Sequence, residues 1–396
     1  MKKLLFLVHR LPYPPNKGDK ISSYNILKYL SQHWRVHLGT FIDDPDDWQY
    51  TDTVKAMCEN SCFVGLKNST KAAAIMKGFF RGTSFTEAFY NNKDLLSWVS
   101  SDIDSEAPDA IFIYSGAMGQ YLPSAVPAST RIVFNCEDVD SEKWRNYSHA
   151  KVWPLSYIYG REANKLLTFE RAIATRSHVT SFISEAEANL FKKRAPECAH
   201  KTHYRLQGVD AAYFDPELNF SNPYTTSEKA FVFTGVMDYL PNIDAVVWFC
   251  ERVVPALFKI DPDFRFYIVG MKPTDRVLEL ARHPAVAVTG AVDDVRPYLK
   301  YAWCACLPLQ IARGIQNKAL EAMAMALPVV ATRDALVGIN CQHLEDVHAA
   351  DSSSEMIEEC CRILAAPRKY CQPTRTMIDN HYDWPSNLAK LAKFLE

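Results

Sequence analysis

Short apolar runs alternate with helix-period patterns along the whole chain, and this alternation predicts parallel sheets flanked by helices. In the first half the runs predict strands over Leu4–Val8, Arg35–Phe41, Cys62–Leu66, Ala110–Tyr114, Arg131–Asn135, Val179–Ile183 and Thr202–Leu206. A second series follows at Ala230–Thr234, Phe264–Val269, Val286–Thr289, Trp303–Leu307 and Val329–Ala331. Ser184-Glu185-Ala186-Glu187 has the Ser-x-x-Glu form of a capping box and predicts a helix start directly after a strand. Residues 206–229 turn polar and rich in turn formers from Asp215 onward, which reads as the connection between two doubly wound units. After Asp351 the pattern is helical, broken at Pro367 and Pro373, and Trp384–Glu396 reads as a last amphipathic helix.

At 396 residues the chain is too long for most single cores, in keeping with two units. Its net charge of −2 gives no reason to expect nucleic acid as a partner. The balance is uneven: residues 1–208 carry a net +4 and residues 209–396 a net −6, so the first half suits an anionic surface better. Eleven cysteines, an odd count at irregular spacing, read as reduced thiols of a cytosolic protein. Neither Cys58 with Cys62 nor Cys360 with Cys361 is followed by a second pair at zinc-site spacing. The basic start Met1-Lys2-Lys3 precedes an apolar core of only Leu4–Val8, a first strand and not a signal peptide. No run approaches the roughly 20 apolar residues that cross a bilayer, so any membrane contact is expected to be peripheral. The segment 71–90 is a candidate for it: Lys71, Lys77 and Arg81 surround Ile75, Met76, Phe79 and Phe80, as at a membrane surface near a polyprenyl carrier. A core helix followed by a loop fits the same residues.

Candidate chemistry concentrates in Leu309–Thr332, which orders strand, turn, helix and buried strand and carries Gly314-Ile315-Gln316-Asn317-Lys318 at the turn. Exposed amides, a positive helix end and the Lys318 ammonium suit an anion, and Glu321 farther along suits ribose hydroxyls. An ordinary strand and helix with a solvated Lys and Glu is the competing reading. In open α/β sheets ligands lie beyond the carboxyl ends of strands, which directs attention to four more loops. Lys17-Gly18-Asp19 precedes a helix expected near Ile21, where a glycine lets amides approach a phosphate. Glu137, Asp138 and Asp140 crowd the end of a strand, where they can act as acid and base, position a sugar hydroxyl, or cap the next helix. Asp238 and Asn242 follow the first strand of the second unit, with Asn242 a natural N-cap. Gly290 lies in a turn before Val292, Asp293 and Asp294, where backbone contact to a base and plain capping both fit. No Gly-x-Gly-x-x-Gly, P-loop or Gly-x-Ser-x-Gly occurs, which disfavours nicotinamide and flavin enzymes, common ATPases and hydrolases. Asp138-Val139-Asp140 has the letters of a divalent-ion site.

The blocks HRLPYPPNKGDKI at 9–21, DVDSEKW at 138–144, SEAEANLF at 184–191, LQGVDAAYF at 206–214, FTGVMDYLPNIDAVVWF at 233–249 and ARGIQNKALEAMAMALPVVAT at 312–332 carry a family resemblance. The chain resembles glycosyltransferases of family 4, and is most similar to the sugar transferases associated with exosortase (PEP-CTERM) exopolysaccharide systems. The resemblance implies the α/β GT-B fold, two Rossmann-like doubly wound parallel-sheet domains facing a cleft. Residues 1–208 would bind the acceptor, 209–376 the nucleotide sugar, and 377–396 would form a helix crossing back to the first domain. Glu321 matches the second carboxylate of the family's Glu-x7-Glu motif, and Gly18 its first-domain glycine loop. Arg313 stands where many relatives have the first glutamate, and Met237, Asp238 and Asn242 occupy the region of a usual basic pair. The expected reaction is retaining transfer of a hexosyl unit from a UDP- or GDP-sugar to a lipid-linked or polysaccharide acceptor, without metal or other cofactor. Asp138, Arg313 and Lys318 are the expected catalytic residues, and Gly18, Asn242, Gly290, Val292, Gly314, Asn317 and Glu321 the donor-binding ones. The expected location is cytoplasmic, with peripheral contact at the inner membrane. A nucleotide-sugar epimerase of the same architecture, or a degenerate sugar-nucleotide-binding protein suggested by Arg313, are the alternatives.

Overall fold

Leu4–Val8 is continuously apolar because its strand is covered on both faces, as expected of parallel sheets. In the computed structural model, which describes residues 1–66, 76, 78–312 and 314–396, every residue of strand β1 (Lys3–Val8) is buried. Even Lys3 is enclosed: its ammonium donates to the carbonyls of Asp102 (2.8 Å) and Glu106 (2.7 Å) and pairs with the Asp102 carboxylate at 3.0 Å. These partners lie at the carboxyl end of helix Lys93–Ser105, where a cation meets the negative pole of the helix.

The remaining strands of this sheet are β2 (Arg35–Ile42), β3 (Asn60–Gly65), β4 (Ala110–Tyr114), β5 (Arg131–Asn135), β6 (Val179–Phe182) and β7 (Thr202–Tyr204). Their order is β3-β2-β1-β4-β5-β6-β7, and every pair is parallel. The second sheet contains β8 (Lys229–Thr234), β9 (Phe264–Val269), β10 (Val286–Gly290), β11 (Cys304–Leu307), β12 (Val329–Ala331) and β13 (Val347–Ala349). It is also parallel throughout, in the order β10-β9-β8-β11-β12-β13. Each sheet therefore reverses direction once, between β1 and β4 and between β8 and β11, and the carboxyl ends there are the natural ligand positions of each unit.

The predicted strands are present, most within one or two residues of their expected ends. The exception is β13, three half-exposed residues at a sheet edge whose sequence, Val-His-Ala, has no apolar run to announce it. The chain divides into one unit of Met1–Gln207 with Asn387–Glu396, and another of Gly208–Ser386. The last helix, Trp384–Leu395, thus starts in the second unit and ends in the first. Its start is seated on Gly208, where a side chain would come within 2.3 Å of the Trp384 ring, and its end is held by Arg131 Nε donating to the Phe394 carbonyl at 3.1 Å. All eleven cysteines are unpaired. Among the described residues no helix is long and apolar enough to cross a membrane. Of the basic aromatic segment 71–90, residues 71–75 and 77 lie outside the described residues, while Met76, Phe79 and Phe80 are exposed.

Candidate active site

In the second unit, apolar residues decide which way helix Asn317–Ala324 faces. Ala319, Leu320, Ala322 and Met323 are buried against the sheet, which leaves Lys318 and Glu321, three apart, on one remaining face. The Lys318 ammonium donates to Asn242 Oδ1 at 2.6 Å and lies 4.1 Å from the centroid of the Phe233 ring, at the carboxyl end of β8. Asn242 in turn donates through Nδ2 to the Val236 carbonyl at 2.9 Å, which fixes the orientation of its amide. Gly235 completes the nest: a Cβ there would lie 2.8 Å from Asn242 Nδ2 and 3.0 Å from the Lys318 ammonium.

Burial pushes the Lys318 ammonium down to about 7, against the opposing pull of Glu321. The same burial pushes Glu321 up to about 7, with Lys318 pulling the other way. The two groups therefore exchange charge states within the physiological range, which a solvated Lys and Glu do not do. Gly314 turns the chain ahead of the helix at φ +64°, and Gln316 supplies no side-chain cap to the first turn, which Asn317 begins. Arg313 lies outside the described residues. At the end of β10, Gly290 adopts φ +70° with open space where a side chain would project, so its backbone angle and not crowding calls for glycine. Val292 is half-buried in the following loop, and Asp294 is occupied with Arg296, accepting from its amide at 2.9 Å and from its guanidinium at 2.7 Å. Arg296 stacks at 3.7 Å on Tyr213, whose phenol is close enough to feel the charge of Glu321.

In the first unit, Asp138 follows β5 in a loop held by carboxylates from other helices. Glu187 accepts from the Val139 amide at 2.7 Å, and Glu170 accepts from the Ser141 amide at 3.1 Å and hydroxyl at 2.6 Å. Asp138 is thereby relieved of capping: helix Asp140–His149 follows Val139 without a side-chain cap, and Asp138 Oδ1 is buried with no hydrogen-bond partner. Burial first, then Glu187, Glu137 and Asp140, push its carboxyl up to about 8. At neutral pH it is chiefly a protonated acid that can donate a hydrogen bond. Nearby, Glu137 accepts from the hydroxyl of fully buried Tyr114. At the end of β1, Asp19 receives Arg10 at 2.7 Å and His9 at 3.2 Å, and these partners hold it well below the usual carboxylate range despite burial.

The structure gathers Lys318, Glu321 and Asn242 with Gly314 and Asn317 on adjacent segments of the second unit, and Asp138 and Gly18 at the strand ends of the first. One role changes. Asn242 is not an N-cap: helix Leu240–Arg252 follows Tyr239, and Asn242, three residues in, turns its amide back to Val236 and Lys318. Gly18 is exposed at the first position of helix Gly18–Leu30, three residues ahead of the expected start, and Lys17 before it contributes no side-chain cap. The sequence reading missed Gly235, Phe233 and Tyr213 in the second unit, and His9, Arg10 and Tyr114 in the first. His9 and Arg10 open the block 9–21, yet alone their spacing says nothing of Asp19.

Known structures share this architecture. Alr3699/HepE of Anabaena, in complex with UDP and glucose, matches with a TM-score of 0.69 at 13% identity, over 100% of this chain and 99% of that one. Sucrose-phosphate synthase of Thermosynechococcus elongatus matches at 0.68 and 15%, over 99% and 98% of the two chains. WaaG, a glycosyltransferase involved in lipopolysaccharide biosynthesis, matches at 0.68 and 15%, over 99% of each chain. No curated protein matches the chain significantly in sequence. Residues 228–366, which make up most of the second unit, match the family described as Glycosyl transferases group 1, and the chain around them has the GT-B fold.

Proposed function

We propose that this protein is a retaining glycosyltransferase that moves a hexosyl unit from a UDP- or GDP-sugar to a lipid-linked or polysaccharide acceptor. The observation that carries the reading is the Lys318 ammonium, anchored by Asn242 on a half-buried helix face whose first turn has no side-chain cap. A diphosphate placed there draws Lys318 into its charged form, and the attraction grows as negative charge builds on the departing phosphate. Glu321 on the same face suits the ribose hydroxyls, Gly290 and Val292 offer backbone to the base, and Arg313 adds positive charge. Transfer then needs no protein nucleophile and no metal. On the first unit, the protonated carboxyl of Asp138 donates to a hydroxyl of acceptor or sugar, and Gly18 opens a helix whose amides suit an anion. UDP in the HepE structure supports the choice of donor class. The resemblance to exosortase-associated transferases supports an acceptor in exopolysaccharide synthesis at the cytoplasmic face of the inner membrane.

The test is turnover of UDP- and GDP-sugars with a polyprenyl-phosphate-linked acceptor. Lys318→Ala, with its circular dichroism unchanged, is expected to lose turnover by about 100-fold or more; unaltered turnover rejects the role of Lys318. Sugar conversion without acceptor would instead identify an epimerase, and donor binding without transfer or slow hydrolysis a binding protein.

A further inference from the structure

β7 is the edge strand of the first sheet, and its outer side forms one wall of a cavity of about 310 Å3. Helix Glu185–Arg194 contributes Lys192, and the returning C-terminal helix contributes Lys390, Lys393 and Phe394. His203 and Tyr204 line the strand side, and no carboxylate lines the cavity. The buried lysines of this unit, Lys3 and Lys20, are by contrast matched to carboxylates at 3.0 Å and 2.8 Å. The exposed His203 ring packs on that of Phe394 at 5.6 Å, and Arg131 holds the Phe394 carbonyl at 3.1 Å. The rim is mobile by chemistry, since Lys390 and Lys393 are exposed and each ammonium offers three rotatable donors. Three cations lining one opening repel one another less once an anion is present, and the volume is that of a small-ligand pocket.

We propose that this cavity binds a phosphate-bearing anion, its charge shared by Lys192, Lys390 and Lys393 and its attached group resting on the His203 and Phe394 rings. The lowered proton affinity of His203, caused by burial and then by the charge of Lys192, agrees with a positive field inside the cavity. The proposal does not depend on glycosyl transfer, since all these residues belong to the first unit and Lys318 to the second.

Two probes test it on the intact chain. Inorganic pyrophosphate, added at low ionic strength, is expected to shift the ring-proton resonances of His203, with an affinity at least about tenfold weaker in Lys192→Ala/Lys390→Ala/Lys393→Ala. Vesicles of phosphatidylcholine with and without phosphatidylglycerol then separate the sources. Flotation that requires the anionic lipid and is lost in the triple variant assigns a lipid headgroup. A His203 shift without flotation assigns a soluble phosphorylated ligand. If pyrophosphate leaves His203 unmoved and flotation is absent or the same in both proteins, the proposal is overturned.

Discussion

Gly235 is a position where one methyl group reaches both Asn242 and Lys318. The nearest atoms that the added carbon would meet are the ends of two side chains, Asn242 and Lys318, at a backbone φ of +159° that side chains rarely adopt, so the ammonium moves and the chain is also strained. Gly235→Ala is therefore expected to weaken nucleotide-sugar binding by about tenfold and to lower the melting temperature modestly, measured by calorimetry on the still-folded variant beside thermal melting. Lys318 and Glu321 add a pH signature. Between about 7 and its unfolded value of 10.5, Lys318 is neutral when folded and charged when unfolded, so stability rises with pH in that window. Between 4.5 and about 7, Glu321 holds a proton only when folded, so stability falls with rising pH. The pair is thus least favourable near pH 7, and the difference in denaturant stability between the natural chain and Lys318→Met/Glu321→Gln should be widest there. By the same logic, a diphosphate that charges Lys318 takes up a proton at pH 8, and the binding enthalpy should vary with the ionisation enthalpy of the buffer. Asp138→Asn removes a carboxyl whose ionisation burial opposes; at pH 9 it should raise the melting temperature by roughly 2–4 °C while transfer falls. A lower melting temperature would mean that Asp138 is structural. The positions of Lys318 and Glu321 were legible in sequence because the turn Gly314-Ile315-Gln316-Asn317 leads directly into the short helical pattern that carries both. His9 and Arg10 were not, because their partner Asp19 becomes adjacent only when helix Gly18–Leu30 folds back over the end of β1.

Elements carried the sequence reading furthest where burial dictated composition. Ala110–Tyr114 was legible to the residue, since a strand covered on both faces is apolar throughout, and Phe264–Val269 likewise, although its half-buried Arg265 and Tyr267 alternate with buried positions. Caps were less legible because their side chains have choices. Ser184 caps helix Glu185–Arg194 by accepting from the Glu187 amide at 3.2 Å, but the Glu187 carboxylate turns away to hold the Val139 amide beside Asp138. A local motif thus predicted the helix start and gave no hint of the long-range use of its glutamate. Gly208 illustrates the converse: its motif block was visible in sequence, but its reason is Trp384, far along the chain. Gly208→Ala would drive a methyl into that indole and is expected to cost about 1–3 kcal/mol in denaturant unfolding. An unchanged midpoint would mean that the last helix shifts without cost.

At the scale of the molecule, two parallel sheets and their reversals were legible because alternating strands and helices leave few topologies open. Donor identity was not, since the alternation of strands and helices says nothing of which polar groups meet a base or a sugar. A thermal-shift panel of nucleotide sugars addresses it directly: a ligand at 100 times its dissociation constant stabilises the native chain by about 2.7 kcal/mol, and UDP- or GDP-sugars are expected to stand out. A panel in which neither does would reject the proposed donor class. The course of the chain has a further consequence. Because Asn387–Glu396 belongs to the first unit, the sheet made earlier on the ribosome waits for residues that are made after the second unit, which by then has its whole sequence. A nascent chain stalled with residue 387 and those after it not yet emerged should therefore present a protease-sensitive amino-terminal half beside a resistant second half, an inversion of the usual order of vectorial folding.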